Sequence, residues 1–239
     1  MKKALIVQGG WDGHEPVLVS ERFKKLLQNE GFETEISDNL DSFLDLDNLL
    51  MLDLIVPVWT MGKISNEQCE NVSTAVASGV GIAGCHGGMC DAFRESTLWQ
   101  FITGGNWISH PGGDGVKFTV NIKNSTSPLV ENINDFEVCS EHYYLHIDPV
   151  VEVLATTRFP SVNWYHSTNK MVDMPVVWTK RWGHGRVYYN SLGHINSVFD
   201  IPEALELMKR GMLWAADGKQ YTIENVLTLD EFISDKKMF

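Results

Sequence analysis

The sequence lacks the short motifs that identify several common classes of protein. Its four cysteines, at positions 69, 85, 90 and 139, form no Cys-x-x-Cys pair, so neither a redox motif nor a zinc ribbon is indicated. No Walker A or Gly-x-Gly-x-x-Gly element lies at a strand-to-helix turn, and a nucleotide cofactor is therefore not supported. No His-Glu-x-x-His spacing is present. No cofactor is evident, and only a metal ion bound by histidines from separate loops is left open.

Basic charge and long apolar runs are also scarce. The chain has 19 Lys and Arg against 31 Asp and Glu, a formal net charge of −12, which argues against a nucleic-acid or anionic-membrane partner. No stretch approaches the length of a membrane span. The apolar run that begins at Ala4 is too short for the core of a signal peptide. We therefore predict a soluble cytoplasmic protein with reduced thiols, and we leave open that it is a homo-oligomer.

The order of apolar segments predicts the fold class. The first 90 residues read as strand, helix, strand, strand, helix, strand, which is typical of an α/β protein with a mostly parallel, doubly wound sheet. No repeat, linker or low-complexity segment divides the chain. We expect one domain over residues 1–217 that ends in an amphipathic helix, residues 201–216. A C-terminal tail, residues 218–239, follows and includes a short docked helix near residues 229–233.

Residues 80–89 form the stretch around which the chain is organised. Small apolar residues lead into Cys85 and His86, and two glycines follow at once. This is typical of a buried strand that ends at a sharp turn into a helix. A reactive side chain on such a turn stands at the carboxyl end of the sheet, near free backbone N–H groups. The alternative, a buried cysteine beside a turn histidine, explains Cys85 alone equally well.

Several of the eight histidines follow predicted strands. His14, His86 and His194 each come after a strand and lie close to glycine. In an open α/β sheet such loops share one edge. We therefore expect the segments after three strands to converge there: residues 9–15, 59–63 and 84–91. Glu141 lies in a polar, aromatic run and completes a set suited to proton transfer between a carboxylate and a histidine.

Other polar and aromatic residues are candidates for binding a substrate. The sequence has eight tryptophans, and aromatic rings near polar groups often stack on sugars. The alternative is that they fill the core, where each needs only one partner for its N–H group. The predicted substrate-binding residues are Trp11, His14, Trp59, Trp107, His110 and His142. For His146, His166 and His184 we prefer the interpretation of turn residues.

These segments resemble the ThuA-like (trehalose utilisation) family. The resemblance covers roughly residues 3–216. It is carried by Gly9, Gly10 and His14, by residues 84–88, by His110 and Pro111, and by residues 140–149, 174–178, 183–189 and 192–194. It implies a class I glutamine-amidotransferase-like fold, which is a flavodoxin-like three-layer sandwich. It also implies a role in carbohydrate metabolism with a small-molecule sugar as ligand, but it does not define the reaction.

The resemblance also bears on which residue of the turn is reactive. Amidotransferases of this fold have a nucleophilic cysteine in a Gly-x-Cys-x-Gly turn and a later His-x-Glu. Here the turn can be centred on Cys85, which lacks the first glycine, or on His86. Relatives often have an aliphatic residue at the position of Cys85 and keep the histidine. His194 is followed two residues later by Asn196 instead of glutamate, so the triad is incomplete.

Three functions follow from these residues. The first is an enzyme that acts on a disaccharide or keto-sugar by proton transfer, with His86 and Glu141 as acid and base. His14 and His194 would then position the ligand or bind a metal. The second is a Cys85-dependent hydrolase or amidotransferase-like enzyme, with a histidine as the base. The third is a non-catalytic protein that binds carbohydrate or serves in assembly.

Overall fold

The short apolar segments form a large sheet, as the sequence predicts. The computed structural model describes residues 1–124 and 126–232. In those ranges the strands are β1 (Lys3–Gly10), β2 (Glu33–Ser37), β3 (Leu54–Thr60), β4 (Gly81–Cys85), β5 (Gly105–Ser109), β6 (Val116–Ile122), β7 (Phe136–Ser140), β8 (Tyr144–Ile147), β9 (Glu152–Phe159), β10 (Val172–Trp182) and β11 (Gly185–Asn190). The helices are α1 (Pro16–Asn29), α2 (Leu46–Met51), α3 (Asn66–Ala77), α4 (His86–Cys90), α5 (Thr97–Thr103) and α6 (Pro202–Glu224).

The strand order decides which loops meet. Nine strands form one sheet in the order β2-β1-β3-β4-β11-β10-β9-β6-β7. The pairings from β2 to β11 are parallel, and those from β11 to β7 are antiparallel. Because the direction reverses four times between β11 and β7, β7 again runs the same way as β4. The carboxyl ends of β1, β3, β4, β11 and β7 therefore point to the same side of the molecule.

Successive side chains of the central strands point to opposite faces of the sheet, so these strands contribute to two separate hydrophobic cores. In β1, Ala4 and Ile6 face the core that contains α1 and α6, whereas Leu5 and Val7 face the core that contains α2, α3 and α5. All four residues are at most 2% exposed, as expected for a strand covered on both faces. The α/β class and the three-layer sandwich are confirmed. The sheet is parallel in one half and antiparallel in the other.

Local packing explains how several helices begin and end. Ser65 caps α3 because its hydroxyl accepts from the N–H of Gln68, whose side chain in turn accepts from the N–H of Ser65, a reciprocal capping box. Pro16 and Pro202 begin α1 and α6 at positions where no helical N–H is needed. Local sequence thus fixes where α1, α3 and α6 begin.

Two segments differ from their predicted form. The glycine-rich segment after α5 contains a strand, β5, which pairs with β8 in a separate two-stranded sheet; the sequence analysis predicted no strand in either place. Helix α6 continues to Glu224, beyond its predicted end at Ala216. A 3-10 turn follows at Leu229–Phe232, and residues 233–239 of the predicted tail lie outside the described part. Within the described ranges, no helix is both long and apolar enough to cross a membrane.

Candidate functional site

The turn between β4 and α4 is centred on His86. Cys85 is the last residue of β4 and has an extended backbone, with φ −132°. His86 is the first residue of α4 and has φ 47°, a left-handed conformation that costs about 1–3 kcal/mol for a residue other than glycine. A Cβ added at Gly88 would lie 2.9 Å from the Cα of Val58, so only glycine lets α4 lie this close to β3. The strained residue of the turn is therefore the histidine.

Contacts on several sides fix the imidazole of His86. Its Nδ1 lies 2.8 Å from the backbone oxygen of Ser191. A carbonyl can only accept, so Nδ1 carries the proton of that hydrogen bond. Its Nε2 is 3.1 Å from Oε2 of Glu141, and the ring stacks on Tyr143 with the centroids 3.8 Å apart. Burial lowers the pKa of His86 to about 4, although the contact with Glu141 opposes this shift.

His14 approaches the same carboxylate from the end of β1. It ends a 3-10 turn at Asp12–His14 and is 7% exposed. Its Nδ1 lies 2.8 Å from Oγ1 of Thr60, at the end of β3. Its Nε2 lies 3.7 Å from Oε2 of Glu141 and has no hydrogen-bond partner among the described residues. The ring is held, but the nitrogen that faces the carboxylate is unpaired.

His194 approaches from the loop after β11. It is 7% exposed, and its Nδ1 lies 3.4 Å from Oε2 of Glu141. That nitrogen also lacks a hydrogen-bond partner in the described part of the chain. Its Nε2 faces Oδ1 of Asp114 at 3.9 Å. Burial lowers the pKa of His194, and the nearby charge of Glu141 opposes the shift.

Glu141, directly after β7, is the residue on which the histidines converge. Its Oε2 faces the three imidazoles, and its Oε1 faces Nε2 of His110 at 3.7 Å. Burial alone would raise the pKa of Glu141, but the neighbouring imidazoles outweigh it and hold the pKa well below its usual range. One ligand atom each from His14, His86, His194 and Glu141 lies within 4.8 Å of all the others. We call these four residues the His/Glu centre.

Cys85 lies next to this centre in sequence but has a different environment. The residue is 2% exposed, and a Cβ added at Gly193 would be 3.3 Å from its Sγ. Burial raises the pKa of Cys85 to about 12. A thiol with so high a pKa is a poor nucleophile at neutral pH, because the thiolate is the reactive form.

The predicted binding residues fall into two groups. His110 joins the centre through Glu141, whereas the ring of His142 is stacked between Phe118 and Phe159 with centroids 4.1 and 3.9 Å away. His142 also contacts Ser161 at 2.8 Å and Thr157 at 3.0 Å. Its hydrogen-bonding atoms are thus both occupied away from Glu141. The structure does not bring His142 to the His/Glu centre.

The three predicted tryptophans surround the centre at different distances. Trp11 is 45% exposed and meets the ring of His14 edge-on at 4.7 Å. Trp107 lies 5.7 Å from the ring of His110 and carries the guanidinium of Arg94 on its face at 4.3 Å. Trp59 packs instead against the backbone: its ring would meet a Cβ at Gly9 or Gly62 within 2.6 Å. Trp11 and Trp107 are the two that contact histidines at this edge.

Sequence reasoning missed the residues that orient the histidines. Thr60 lies inside the predicted converging segment 59–63, so its position at the end of β3 was the available signal. Ser191 contributes a backbone oxygen, which has no signature in sequence. Tyr143 belongs to the aromatic run around Glu141, but nothing in that run indicates which of its rings stacks on His86.

Fold and site together define an α/β sandwich protein with a histidine-rich centre at the carboxyl edge of its sheet. The family model for trehalose utilisation (ThuA) matches residues 3–215, which confirms the resemblance seen in the sequence. The chain belongs to this family, and membership links it to sugar utilisation. A comparison with curated protein sequences finds no match.

Solved structures with the same fold include two ThuA-like proteins. One, from Bacteroides uniformis ATCC 8492, has a TM-score of 0.70 and 17% identity over 90% of this chain and 91% of its own. Another, from Parabacteroides merdae ATCC 43184, has a TM-score of 0.68 and 18% identity over 91% of both chains. A β-galactosidase from Bacillus circulans sp. alkalophilus has a TM-score of 0.55 and 13% identity over 92% of this chain but 31% of its own. At these identities the likeness concerns the fold.

Proposed function

We propose that the protein is an enzyme that acts on a disaccharide or keto-sugar by moving a proton at the His/Glu centre. Membership in the trehalose utilisation family supports the substrate class. The observation that carries the proposal is the convergence of three imidazoles on one buried carboxylate oxygen, at 3.1, 3.4 and 3.7 Å. Titratable groups gathered in this way at the carboxyl edge of an α/β sheet are typical of a reaction site.

In this proposal Glu141 is the base. Its carboxylate is ionised at neutral pH, and its Oε1 is the oxygen not directed at the three clustered imidazoles. A C–H group beside a sugar carbonyl would give its proton to this oxygen, and the electron pair of that bond would move to the carbonyl oxygen as an enolate. Return of a proton to carbon would complete the exchange or the isomerisation. His110, whose side chain is 35% exposed, lies beside Oε1 and would pass the proton to solvent. The other oxygen, Oε2, lies 3.1 Å from Nε2 of His86.

The aromatic residues support a sugar as the ligand. Trp11 and Trp107 each contact a histidine at this edge of the sheet. Indole rings offer flat apolar faces, and their N–H groups seek polar partners; the Nε1 of Trp107 is buried without one among the described residues. A polyhydroxylated ring bound at this edge would meet both kinds of surface.

The competing Cys85 mechanism has weaker support. Cysteine catalysis needs a thiolate with a base in hydrogen-bond reach. No hydrogen bond from Cys85 to a histidine is found in the described residues, and burial keeps its thiol protonated. A base for this cysteine would therefore have to come from a rearranged site.

Proton exchange with solvent tests the function even when the product is unidentified. Trehalose, sucrose and keto derivatives of disaccharides would be incubated with the protein in D₂O and followed by NMR. We expect loss of a C–H signal or formation of product with at least one of them. Glu141→Gln should slow the reaction by about 10²–10⁴-fold, the range for loss of a general base. His146→Ala, at an exposed histidine on β8 outside the centre, serves as the control.

Two results would overturn the proposal. Saturable sugar binding, followed by tryptophan fluorescence, with neither exchange nor product for any of these sugars would indicate a non-catalytic binding protein. Turnover that survives Glu141→Gln but is lost in Cys85→Ala would assign the chemistry to the thiol instead.

A further inference from the structure

We propose that the His/Glu centre binds one divalent transition-metal ion through Nε2 of His14, Nε2 of His86, Nδ1 of His194 and Oε2 of Glu141. The inference deepens the proposed function, since it uses the same centre and supplies a group that can polarise a sugar oxygen. Two observations support it: the distances between the four ligand atoms, and two buried histidine nitrogens without hydrogen-bond partners in the described chain, which proton transfer alone does not explain.

The distances fit a cation at the middle of the four atoms. Zinc bonds to imidazole nitrogen and carboxylate oxygen are about 2.0–2.2 Å, so the ligand atoms of a tetrahedral site lie about 3.4 Å apart. Oε2 of Glu141 is 3.1, 3.4 and 3.7 Å from the three nitrogens. One ligand atom from each of the four residues lies within 4.8 Å of the other three, and rotations of the imidazole rings would draw the widest pair in around an ion.

The unpaired nitrogens favour a cation over a network of hydrogen bonds. Nε2 of His14 and Nδ1 of His194 are buried with no hydrogen-bond partner in the described chain. Their distances to Oε2 of Glu141, 3.7 and 3.4 Å, exceed the usual hydrogen-bond range of about 2.7–3.2 Å. Each nitrogen left unpaired in this way destabilises the fold, because its desolvation is not compensated. One ion would satisfy both nitrogens together with His86 and Glu141.

Two of the three histidines have the outer contacts that metal ligands need. A metal-binding histidine donates its other N–H to a carbonyl, carboxylate or similar acceptor, which fixes its tautomer and ring orientation. Nδ1 of His86 donates to the backbone oxygen of Ser191 at 2.8 Å. Nδ1 of His14 has Oγ1 of Thr60 at the same distance. In His86 this leaves the lone pair of Nε2 directed at the centre. In His14 the same arrangement requires that Nδ1 donates to the hydroxyl of Thr60, which a metal ion on Nε2 would enforce.

The donor set selects a class of metal. Three imidazoles and one carboxylate suit zinc and neighbouring first-row transition metals, whereas magnesium and calcium prefer sites built from oxygen. Four protein ligands complete a tetrahedral site, so a sugar oxygen would bind the ion as a fifth ligand, a coordination number that zinc reaches in some transition states. A sugar carbonyl or hydroxyl bound there would be polarised by the ion, while Oε1 of Glu141 stays free beside His110.

Metal analysis of the full chain tests this inference. The purified protein would be analysed by inductively coupled plasma mass spectrometry, stripped with a chelator, and titrated calorimetrically with Zn²⁺, Mn²⁺ and Co²⁺. We expect one ion per chain. His14→Gln and His194→Gln should each weaken binding by at least about 100-fold, since changes at outer partners alone cost 10–100-fold. His146→Gln should bind like the unaltered protein, and circular dichroism would show that every variant is folded.

The absorption spectrum of bound Co²⁺ gives a second readout that does not depend on affinity. We expect a strong d–d band in the unaltered protein and its loss in His14→Gln. Absence of saturable binding of all three ions, or binding that both variants leave unchanged, would overturn the metal site. Sugar turnover by metal-free protein at the rate of the metal-loaded protein would retain the proposed function and refute the role of the ion in polarising a sugar oxygen. Tight metal binding without turnover of any sugar would support the metal site and refute the proposed function.

Discussion

Thr60→Val tests whether the contact behind His14 orients it as a metal ligand. Thr60 is 2% exposed and places its Oγ1 2.8 Å from Nδ1 of His14. Valine keeps the branched shape but removes the hydroxyl. The Nδ1 atom then loses its partner, so the imidazole is free to rotate and to exchange tautomers. We expect metal affinity to fall although no ligand has been removed.

The size of the effect follows from this contact. Loss of an outer hydrogen bond to a metal-ligating histidine costs about 10–100-fold in affinity, which corresponds to about 1.4–2.8 kcal/mol. The buried nitrogen left without a partner also lowers the free energy of unfolding of the metal-free protein by about 1–3 kcal/mol. Two separate quantities, affinity and stability, should therefore fall together in this variant.

The matched control is Thr157→Val. Thr157 is also 2% exposed, and its Oγ1 lies 3.0 Å from Nε2 of His142, a histidine outside the His/Glu centre. The same substitution there removes the same kind of buried contact. We expect a similar loss of stability by chemical denaturation and no change in Zn²⁺ affinity by calorimetry.

The comparison between the two variants can refute the reasoning. Unchanged Zn²⁺ affinity in Thr60→Val would show that the hydroxyl does not orient His14 for binding. An equal fall in Thr157→Val would show that affinity follows global stability instead of the geometry of the centre.

Two further changes probe the surroundings of the centre, and a third tests the Lys180–Asp148 ion pair. Gly87→Ala would place a Cβ 2.7 Å from the ring of His14; we expect weaker metal binding and turnover with the circular dichroism spectrum retained, and unchanged binding would argue against a tight centre. Cys85→Ala should lower the free energy of unfolding by about 1 kcal/mol and leave turnover intact. Loss of turnover in this variant would instead support the mechanism in which the Cys85 thiol is the nucleophile. Burial would raise the pKa of Asp148, but its bond to Lys180 at 2.9 Å outweighs this and lowers it. The ionised Asp148 carboxylate therefore stabilises the fold at any pH above the pKa that this group has in the unfolded chain. The stabilisation is lost as the pH falls through the lower pKa that the group has in the folded protein. Asp148→Asn should therefore cost about 3 kcal/mol at pH 7 and much less in acid, and a cost independent of pH in thermal melts would contradict the role of this pair.

Local sequence was enough to predict the central strands and the turn after β4. Apolar runs that stop at glycine can be recognised in consecutive residues. The glycines mark the turn correctly, but the positive φ falls on His86, and Gly87 and Gly88 serve the close packing instead. The capping box of α3 depends only on Ser65 and Gln68, three residues apart, and is local for the same reason. The strands β5 and β8 could not be predicted in this way, because their pairing depends on a partner about 40 residues away and their segments show no alternation.

The centre could be predicted only in part. Three of its residues, His14, His86 and His194, follow parallel strands and therefore lie at one edge of the sheet. The parallel arrangement can be predicted from the order of strands and helices in the sequence. Glu141 reaches the same edge because β7 runs the same way as β4 after four reversals, which no local pattern reveals. Its neighbour His142 was predicted for the same site but bonds Ser161 and Thr157 instead. Adjacent residues of an extended chain face different surroundings, so proximity in sequence does not place His142 beside Glu141 in the His/Glu centre.

The most direct test of the account is a crystal structure of the Zn²⁺-loaded protein with anomalous differences measured at the zinc absorption edge. We expect one strong peak among His14, His86, His194 and Glu141, at about 2.0–2.2 Å from each ligand atom. A zinc peak elsewhere on the chain, or no peak among these four side chains in protein saturated with zinc, would contradict the account.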